Sequence, residues 1–173
     1  LRFSLFNVEG KTYIGWEPRL SLRYLVTPSL SLKASYSRMN QYVHQIRNSY
    51  LDLPTDSWLP VTRRLKPLTS DQFSVGAYYN WNWMLDFSIE GYYKRLDNLL
   101  EYKDGHSLVP STIAWEDKMA VGDGRAYGVE LMLQKQSERT NGWISYTWSK
   151  ALNKFDRPGN IIENGREYYA PHD

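Results

Sequence analysis

The sequence predicts an all-β fold, an antiparallel up-and-down transmembrane β-barrel segment with short periplasmic turns and long extracellular loops. Three observations predict it. Apolar side chains recur at every second position, the period of a strand with one greasy and one polar face. Short and long connections alternate along the chain. Aromatic residues make up 15% of the sequence, with 14 Tyr and 7 Trp, and membrane barrels gather such residues in girdles where oil meets water.

The elements follow in order. Leu1 to Phe6 reads as the end of a strand. Leu20, Leu22, Tyr24 and Val26 then alternate with Arg19, Ser21 and Arg23. Thr27-Pro28-Ser29 is a turn, where the missing N–H of proline costs nothing. Leu30, Leu32, Ala34 and Tyr36 alternate with Ser31, Lys33, Ser35 and Ser37, and Phe73, Val75, Ala77 and Tyr79 alternate with Gln72, Ser74, Gly76 and Tyr78. A tight turn is expected at Asn80-Trp81-Asn82. Trp83, Leu85, Phe87, Ile89, Gly91 and Tyr93 follow, against Asp86, Ser88, Glu90 and Lys94. Tyr127, Val129, Leu131 and Leu133 oppose Gly128, Glu130, Met132 and Gln134, and Ile144, Tyr146 and Trp148 oppose Ser145, Thr147 and Ser149.

The polar faces carry Arg23, Lys33, Asp86, Glu90, Lys94 and Glu130, which are expected to face the lumen. An Arg or Lys on the lipid side at the bilayer midplane would cost ~2–4 kcal/mol. The short connections are 27–29, 80–82 and 136–142. The long ones are 43–70 and 96–124, with the tail after Lys150 read as another. Strands of roughly 8 to 12 residues match the ~9–11 needed to cross a bilayer at a tilt. Periodicity alone leaves a second architecture open, a soluble antiparallel sandwich with one wet face per sheet.

Composition narrows the function classes. The 173 residues suffice for one domain. A formal net charge of +2 does not suggest a nucleic-acid binder, which would show a clustered basic face. Cysteine is absent, which excludes disulfides, thiolate metal sites and a Cys nucleophile. No stretch is apolar enough for a transmembrane helix, and mean hydropathy is −0.59. That does not argue against a barrel, whose strands are apolar on one face only. Both ends read as cuts in a longer protein, so the lack of a signal peptide carries no information on localisation.

No catalytic residue, cofactor or metal is expected. His44, His106 and His172 are far apart, lack metal-ligand spacing and read as exposed loop residues, with contact to a metal chelate as the alternative. Gly122-Asp123-Gly124 followed by Gly128 leads into a strand rather than a helix, so no helix N-terminus is available for phosphate. It reads as a flexible loop end, and Gly128 as a place of close approach. Asp86 and Glu90, four apart on one strand, could serve acid–base chemistry. The plainer reading pairs them with Lys33, Arg23 or Lys94. The loops offer substrate-binding candidates: Tyr50, Trp58, Arg63 and Arg64 in one, Tyr102, His106 and Trp115 in its neighbour. Aromatics beside polar groups suit a sugar or chelate site. They equally suit packing of the loops onto each other.

Collinear motifs add a resemblance over nearly the whole chain. They are Trp16-Glu17-Pro18-Arg19-Leu20-Ser21-Leu22-Arg23-Tyr24, Leu32-Lys33-Ala34-Ser35-Tyr36-Ser37-Arg38-Met39, Leu53-Pro54-Thr55-Asp56-Ser57-Trp58-Leu59-Pro60, Glu90-Gly91-Tyr92-Tyr93-Lys94, Tyr127-Gly128-Val129-Glu130-Leu131 and Gly142-Trp143-Ile144-Ser145-Tyr146-Thr147-Trp148-Ser149-Lys150. In this order they resemble the C-terminal barrel of TonB-dependent outer-membrane receptors, of the Bacteroidetes-type branch in which a carboxypeptidase-regulatory-like domain precedes the plug. The resemblance implies that residues 1–173 are part of one barrel domain of about 22 strands. It implies a bacterial outer-membrane location in contact with lipid, and an own plug domain inside the barrel. It further implies a TonB energy-transducing complex engaged through an N-terminal part outside this chain. The substrate would be a small molecule, peptide or glycan bound at extracellular loops, and one branch of the family adds a lipoprotein lid as a further partner. The rival functions are an outer-membrane barrel enzyme and a soluble β-sandwich that binds glycans.

Overall fold

A computed structural model describes residues 1–46, 57–82, 84–103, 112–137 and 140–170. Tyr50, Trp83, His106 and His172 lie outside the described residues. Two strands open the chain, β1 (Arg2–Val8) and β2 (Lys11–Glu17), followed by β3 (Arg19–Thr27) and β4 (Leu30–Gln41). Then come β5 (Val43–Ile46), β6 (Ser57–Pro60), β7 (Leu68–Trp81), β8 (Leu85–Tyr102), β9 (Met119–Lys135), β10 (Gly142–Lys154) and β11 (Tyr168–Tyr169). The main sheet has seven strands in the order β11-β10-β9-β8-β7-β4-β3, and the pairs β1-β2 and β5-β6 form two small sheets. Every pairing is antiparallel between chain neighbours or across one loop hairpin. This is the up-and-down meander that the alternation predicts. The sheet is an open segment of wall with β3 and β11 at its edges.

Local chemistry sets the turns. Thr27 Oγ1 accepts hydrogen bonds from the backbone N–H groups of Ser29 (3.3 Å) and Leu30 (3.0 Å), closing the Pro28–Ser29 turn as expected. Glu9 and Gly10 both take positive φ, 49° and 74°, the backbone of a two-residue hairpin turn. That hairpin was not legible as two strands: Leu1 to Phe6 is the first half of a pair whose second half is Lys11–Glu17. The turn expected at residues 80–82 sits later. Asn80 and Trp81 remain in β7, β8 begins at Leu85, and Asn82 takes φ 53°.

The largest difference is strand length. β8 has 18 residues and β9 has 17, more than a bilayer crossing needs. Gly122 and Gly124 therefore lie inside β9 rather than in a flexible loop end. The connection between β7 and β8 stays short, while the 96–124 loop shrinks to residues 103–118. The 43–70 loop carries its own hairpin, β5-β6, and the tail after Lys150 first completes β10 and then returns as β11. A bulge between Asp97 and Leu99 marks the transition. Asn98 takes φ 63° there and its amide donates to the Pro67 carbonyl at 3.2 Å.

Above that bulge two apolar clusters grip opposite faces of β8 and β9. Ile46, Leu65, Leu100 and Met119 form one, with Leu59, Tyr102, Trp115 and Val121 against it. Ala120, Phe155 and Ile162 form the other, with Leu99 and Tyr168. Leu99 and Leu100 are successive residues, as are Met119 and Ala120, so they point to opposite sides of the sheet.

Candidate functional site

The register aligns the alternation of every strand into one two-faced wall. On the apolar face Leu22, Ala34, Val75, Gly91, Val129 and Trp148 form one cross-strand row, and Tyr24, Leu32, Ala77, Ile89, Leu131 and Tyr146 the next. Above them runs an aromatic row, Leu20, Tyr36, Phe73, Tyr93 and Tyr127. The Tyr36 and Phe73 rings lie 4.7 Å apart, and Tyr127 meets Trp148 edge-on at 6.1 Å. One step higher the same face turns charged: Arg38, Asp71, Arg95 and Arg125 stand in register. The Tyr36 hydroxyl reaches up to Asp71 Oδ1 at 2.7 Å, its ring on the apolar side and its tip on the polar one.

The height of this band can be worked out. From Leu85 to Tyr93 there are eight residue steps along β8, about 27 Å of strand at ~3.4 Å per residue. A tilt of about 40° reduces that to roughly 21 Å, close to the ~25 Å apolar belt of a membrane barrel. Among the described residues no second sheet covers the face. Val75 is 64% exposed, Ile144 72% and Phe73 55%. A sandwich would have buried these side chains, and an apolar surface of this extent marks contact with something other than water.

The opposite face is polar. Arg23, Lys33, Gly76, Glu90, Glu130 and Thr147 occupy one row, with Asp86 and Lys94 on the same face. The ion pairs expected of Asp86 and Glu90 with Lys33, Arg23 or Lys94 are not formed. Asp86 accepts instead from the Asn80 amide at 2.6 Å. Lys33 Nζ lies over the Tyr78 ring, 3.7 Å from its centre. Glu90 stands directly opposite Glu130. Two like charges in register repel, so this spot favours a cation. At Gly128 the wall tightens as expected: a Cβ there would lie 2.7 Å from the Trp148 carbonyl oxygen and 3.0 Å from the Tyr92 ring.

At the rim the candidates divide. Trp58 is 63% exposed on β6, and Arg63, in the segment after β6, is exposed too, its carbonyl accepting from Lys11 Nζ at 3.1 Å. Arg64 reaches across to the neighbouring loop, 2.9 Å from Asp117 and 3.6 Å from Glu116. Tyr102 and Trp115 pack into the apolar cluster under these loops. The Tyr102 hydroxyl is buried with no hydrogen-bond partner among the described residues. So Arg64, Tyr102 and Trp115 hold loops together, and Trp58 and Arg63 remain presented to solvent.

His44 corrects another expectation. It is 4% exposed, on the inner side of β5 next to the buried Ile46. Burial pushes its pKa below the ordinary value, against a smaller opposing effect of a hydrogen bond to the Lys66 main chain. Its Nε2 has no partner among the described residues. Among those residues no three His, Cys, Asp or Glu side chains gather as a metal site.

A second clamp was missed by sequence reasoning. Glu101 accepts from the Asn153 amide at 2.8 Å and from the Tyr168 hydroxyl. Arg157 bonds Asp123 at 2.6 Å, and Arg125 bonds Glu167 at 2.6 Å. Together they tie the segment after β10 to the top of β8 and β9. The partners are 34 to 67 residues apart, and no local pattern announces such pairs.

Comparison with known proteins identifies a family. The family described as TonB dependent receptor-like, beta-barrel, matches residues 1–172. No curated protein and no solved structure matches the chain.

Proposed function

The chain belongs to the TonB-dependent receptor-like β-barrel family, and from that premise we propose that it forms wall and rim of a receptor that binds a nutrient outside the cell and imports it with energy from the TonB system. The family is one of transporters in the bacterial outer membrane rather than of enzymes. The observation that carries the reading is the register: apolar rows meet apolar rows across β3, β4 and β7–β10, and every expected lumen charge falls on the other side.

In this reading the polar face seats the plug. Glu90 and Glu130, side by side without a cation, receive basic groups of that domain, and Arg23 and Lys33 farther along the row receive acidic ones. Trp58 and Arg63 contact the substrate, a small molecule, peptide or glycan with an anionic or ring-shaped part. Arg64, Tyr102 and Trp115 fix the loops that carry them, and Tyr50 and His106 complete the set. The Bacteroidetes-type arrangement with a carboxypeptidase-regulatory-like domain ahead of the plug, and a lipoprotein lid over the rim, belong to the same reading.

The test is growth. A deletion strain is compared with its parent on a panel of defined scarce nutrients. It is then complemented with the wild-type gene, or with a gene carrying both Trp58→Ala and Arg63→Ala. A growth defect on one nutrient class, restored by wild type, lost again without TonB and at least tenfold weaker with the double variant at low nutrient concentration, is expected. Restoration that is independent of TonB overturns the import mechanism. Full restoration by the double variant removes Trp58 and Arg63 from the substrate site.

A further inference from the structure

We infer that the lumenal face carries, just above the periplasmic turns, an exit subsite for a short zwitterionic peptide, with the peptide's carboxylate on Arg23 and its amine on Asp86. The inference rests on the import reading above and narrows its substrate to peptides.

A recess of about 420 Å³ opens on this face between β3 and β9, within the range of small-ligand sites. The register explains it. Leu25, Ser31, Tyr78, Ser88 and Met132 form one cross-strand row, and Asn80, Asp86 and Gln134 stand in the row below. The two serines keep the upper row shallow on either side of Tyr78. In the row above, Gly76 has no side chain beside Lys33, so the lysine leans onto the Tyr78 ring, 3.7 Å from its centre, and roofs the recess. Pro28 and Ser29 of the first periplasmic turn reach the lower edge, so a ligand held here is one step from the periplasm.

Charge selects the ligand. Arg23 shares a row with Lys33, Gly76 and Glu90, and Asp86 lies four residues below Glu90 on β8, so the two occupy diagonal corners of the recess. Neither forms an ion pair among the described residues. The Asn80 amide donates to Asp86 at 2.6 Å, but an amide leaves the carboxylate's charge uncompensated. A neutral glycan would match neither charge, and an anionic chelate would be repelled at Asp86. A molecule with a carboxylate at one end and an ammonium at the other satisfies both. At ~4.8 Å between strands and ~3.4 Å per residue, the two backbones are about 20 Å apart on the diagonal. The two side chains cover part of that span, and an extended peptide of about three to four residues, ~3.3 Å each, covers the rest. Leu25, 61% exposed, and Met132, 37% exposed, give its apolar side chains a contact at either flank. The Ser88 hydroxyl and the Gln134 amide serve its backbone. Arg23 meets an acid of the plug while that domain is seated, and comes free for a peptide carboxylate once the plug is drawn aside.

The test uses the deletion strain complemented with the full-length receptor. A tetrapeptide mixture is supplied free, N-acetylated or C-amidated, and peptide reaching the periplasm is counted by mass spectrometry. TonB-dependent uptake of the free peptides should exceed that of either capped form at least tenfold. Asp86→Asn, which keeps the shape of the side chain, should bring the preference for a free amine below about twofold and retain the preference for a free carboxylate. Arg23→Gln should do the reverse. Folding of each variant is read from its heat-dependent mobility in gels. Unchanged preferences in either folded variant overturn the site. So does entry of vancomycin into Asp86→Asn cells, which marks a residue that holds the plug. TonB-dependent growth on another nutrient without uptake of any peptide overturns this inference alone, whereas absence of all TonB-dependent uptake overturns the import reading beneath it.

Discussion

Ser88 and Ile89 are neighbours on β8 that face opposite sides of the wall, and a single arginine placed at each separates their surroundings. Ile89 lies in the row Tyr24, Leu32, Ala77, Leu131 and Tyr146, four residue steps below the aromatic row at Tyr93 and four above Leu85. It therefore sits at the middle of the apolar band, about 10 Å from either edge by the tilt and rise used above. Arginine there costs ~2–4 kcal/mol in a membrane barrel, falling to ~0–1 kcal/mol near the interfaces. The protein itself supplies the interfacial reference, since Arg95 occupies the same face two residues above Tyr93. Ser88 pairs with Tyr78 and Met132 on the polar side, where an arginine keeps access to water. In urea titrations of the full-length receptor refolded into lipid vesicles, Ile89→Arg should lower the folding equilibrium constant roughly 30- to 700-fold. Ser88→Arg should change it by less than ~5-fold, and so should Tyr93→Arg at the interface. Equal losses at Ile89 and Ser88 would falsify the two-faced wall, because a water-soluble globule makes no such distinction by depth.

Three further outcomes follow from single contacts. Gly128→Val forces a side chain against the Trp148 carbonyl and the Tyr92 ring, an overpacking worth ~1–3 kcal/mol; the gel-shift temperature of the folded barrel should drop, and no drop means the strands are not as close as described. Tyr102→Phe removes a buried hydroxyl that has no partner among the described residues, so the rim should gain up to about 1 kcal/mol rather than lose stability, measurable as slower limited proteolysis of the extracellular loops. His44 has a folded pKa depressed by burial, so the opened loop binds its proton first and rim stability, complete above about pH 6.5, declines as pH falls further; the protection of β5 amides, taken relative to their intrinsic exchange rate at each pH, should fall between neutral and mildly acidic pH in wild type and stay constant in His44→Leu.

The wall was legible in the sequence because its signal is local. A strand with hydrocarbon on one side and water on the other writes the boundary into every second residue, as Phe87-Ser88-Ile89-Glu90 does. The rim was not legible for the opposite reason. Above the bulge at Asn98 both faces of β8 and β9 are covered by protein, so Leu99-Leu100 and Met119-Ala120-Val121 lose the alternation and read as loop. His44 looked like one more exposed loop histidine, since its burial depends on a hairpin folding back onto β8. Tyr50 and His106 lie outside the described residues, so the comparison for them stops at the sequence. The role of Arg64 needed acids 52 and 53 residues away. The β1-β2 hairpin was the one miss with a usable local cue, the Glu9-Gly10 turn, obscured because β2 buries Glu17 on its inner side with Arg2 and Ser4 as partners.

The bulge at Asp97–Leu99 divides single continuous strands between two kinds of cohesion. Below it, greasy side chains exchange one apolar neighbour for another when the barrel opens within the bilayer, and little water is reorganised. Above it, Leu100, Met119 and Phe155 are held by the expulsion of water, which carries a large heat-capacity change and fades in the cold. The rim should therefore melt as a separate cooperative unit, with its own calorimetric peak and its own loosening on chilling, while the cylinder beneath stays shut. A wall built this way can let its outermost storey come apart and re-form without ever breaching the membrane it is set in.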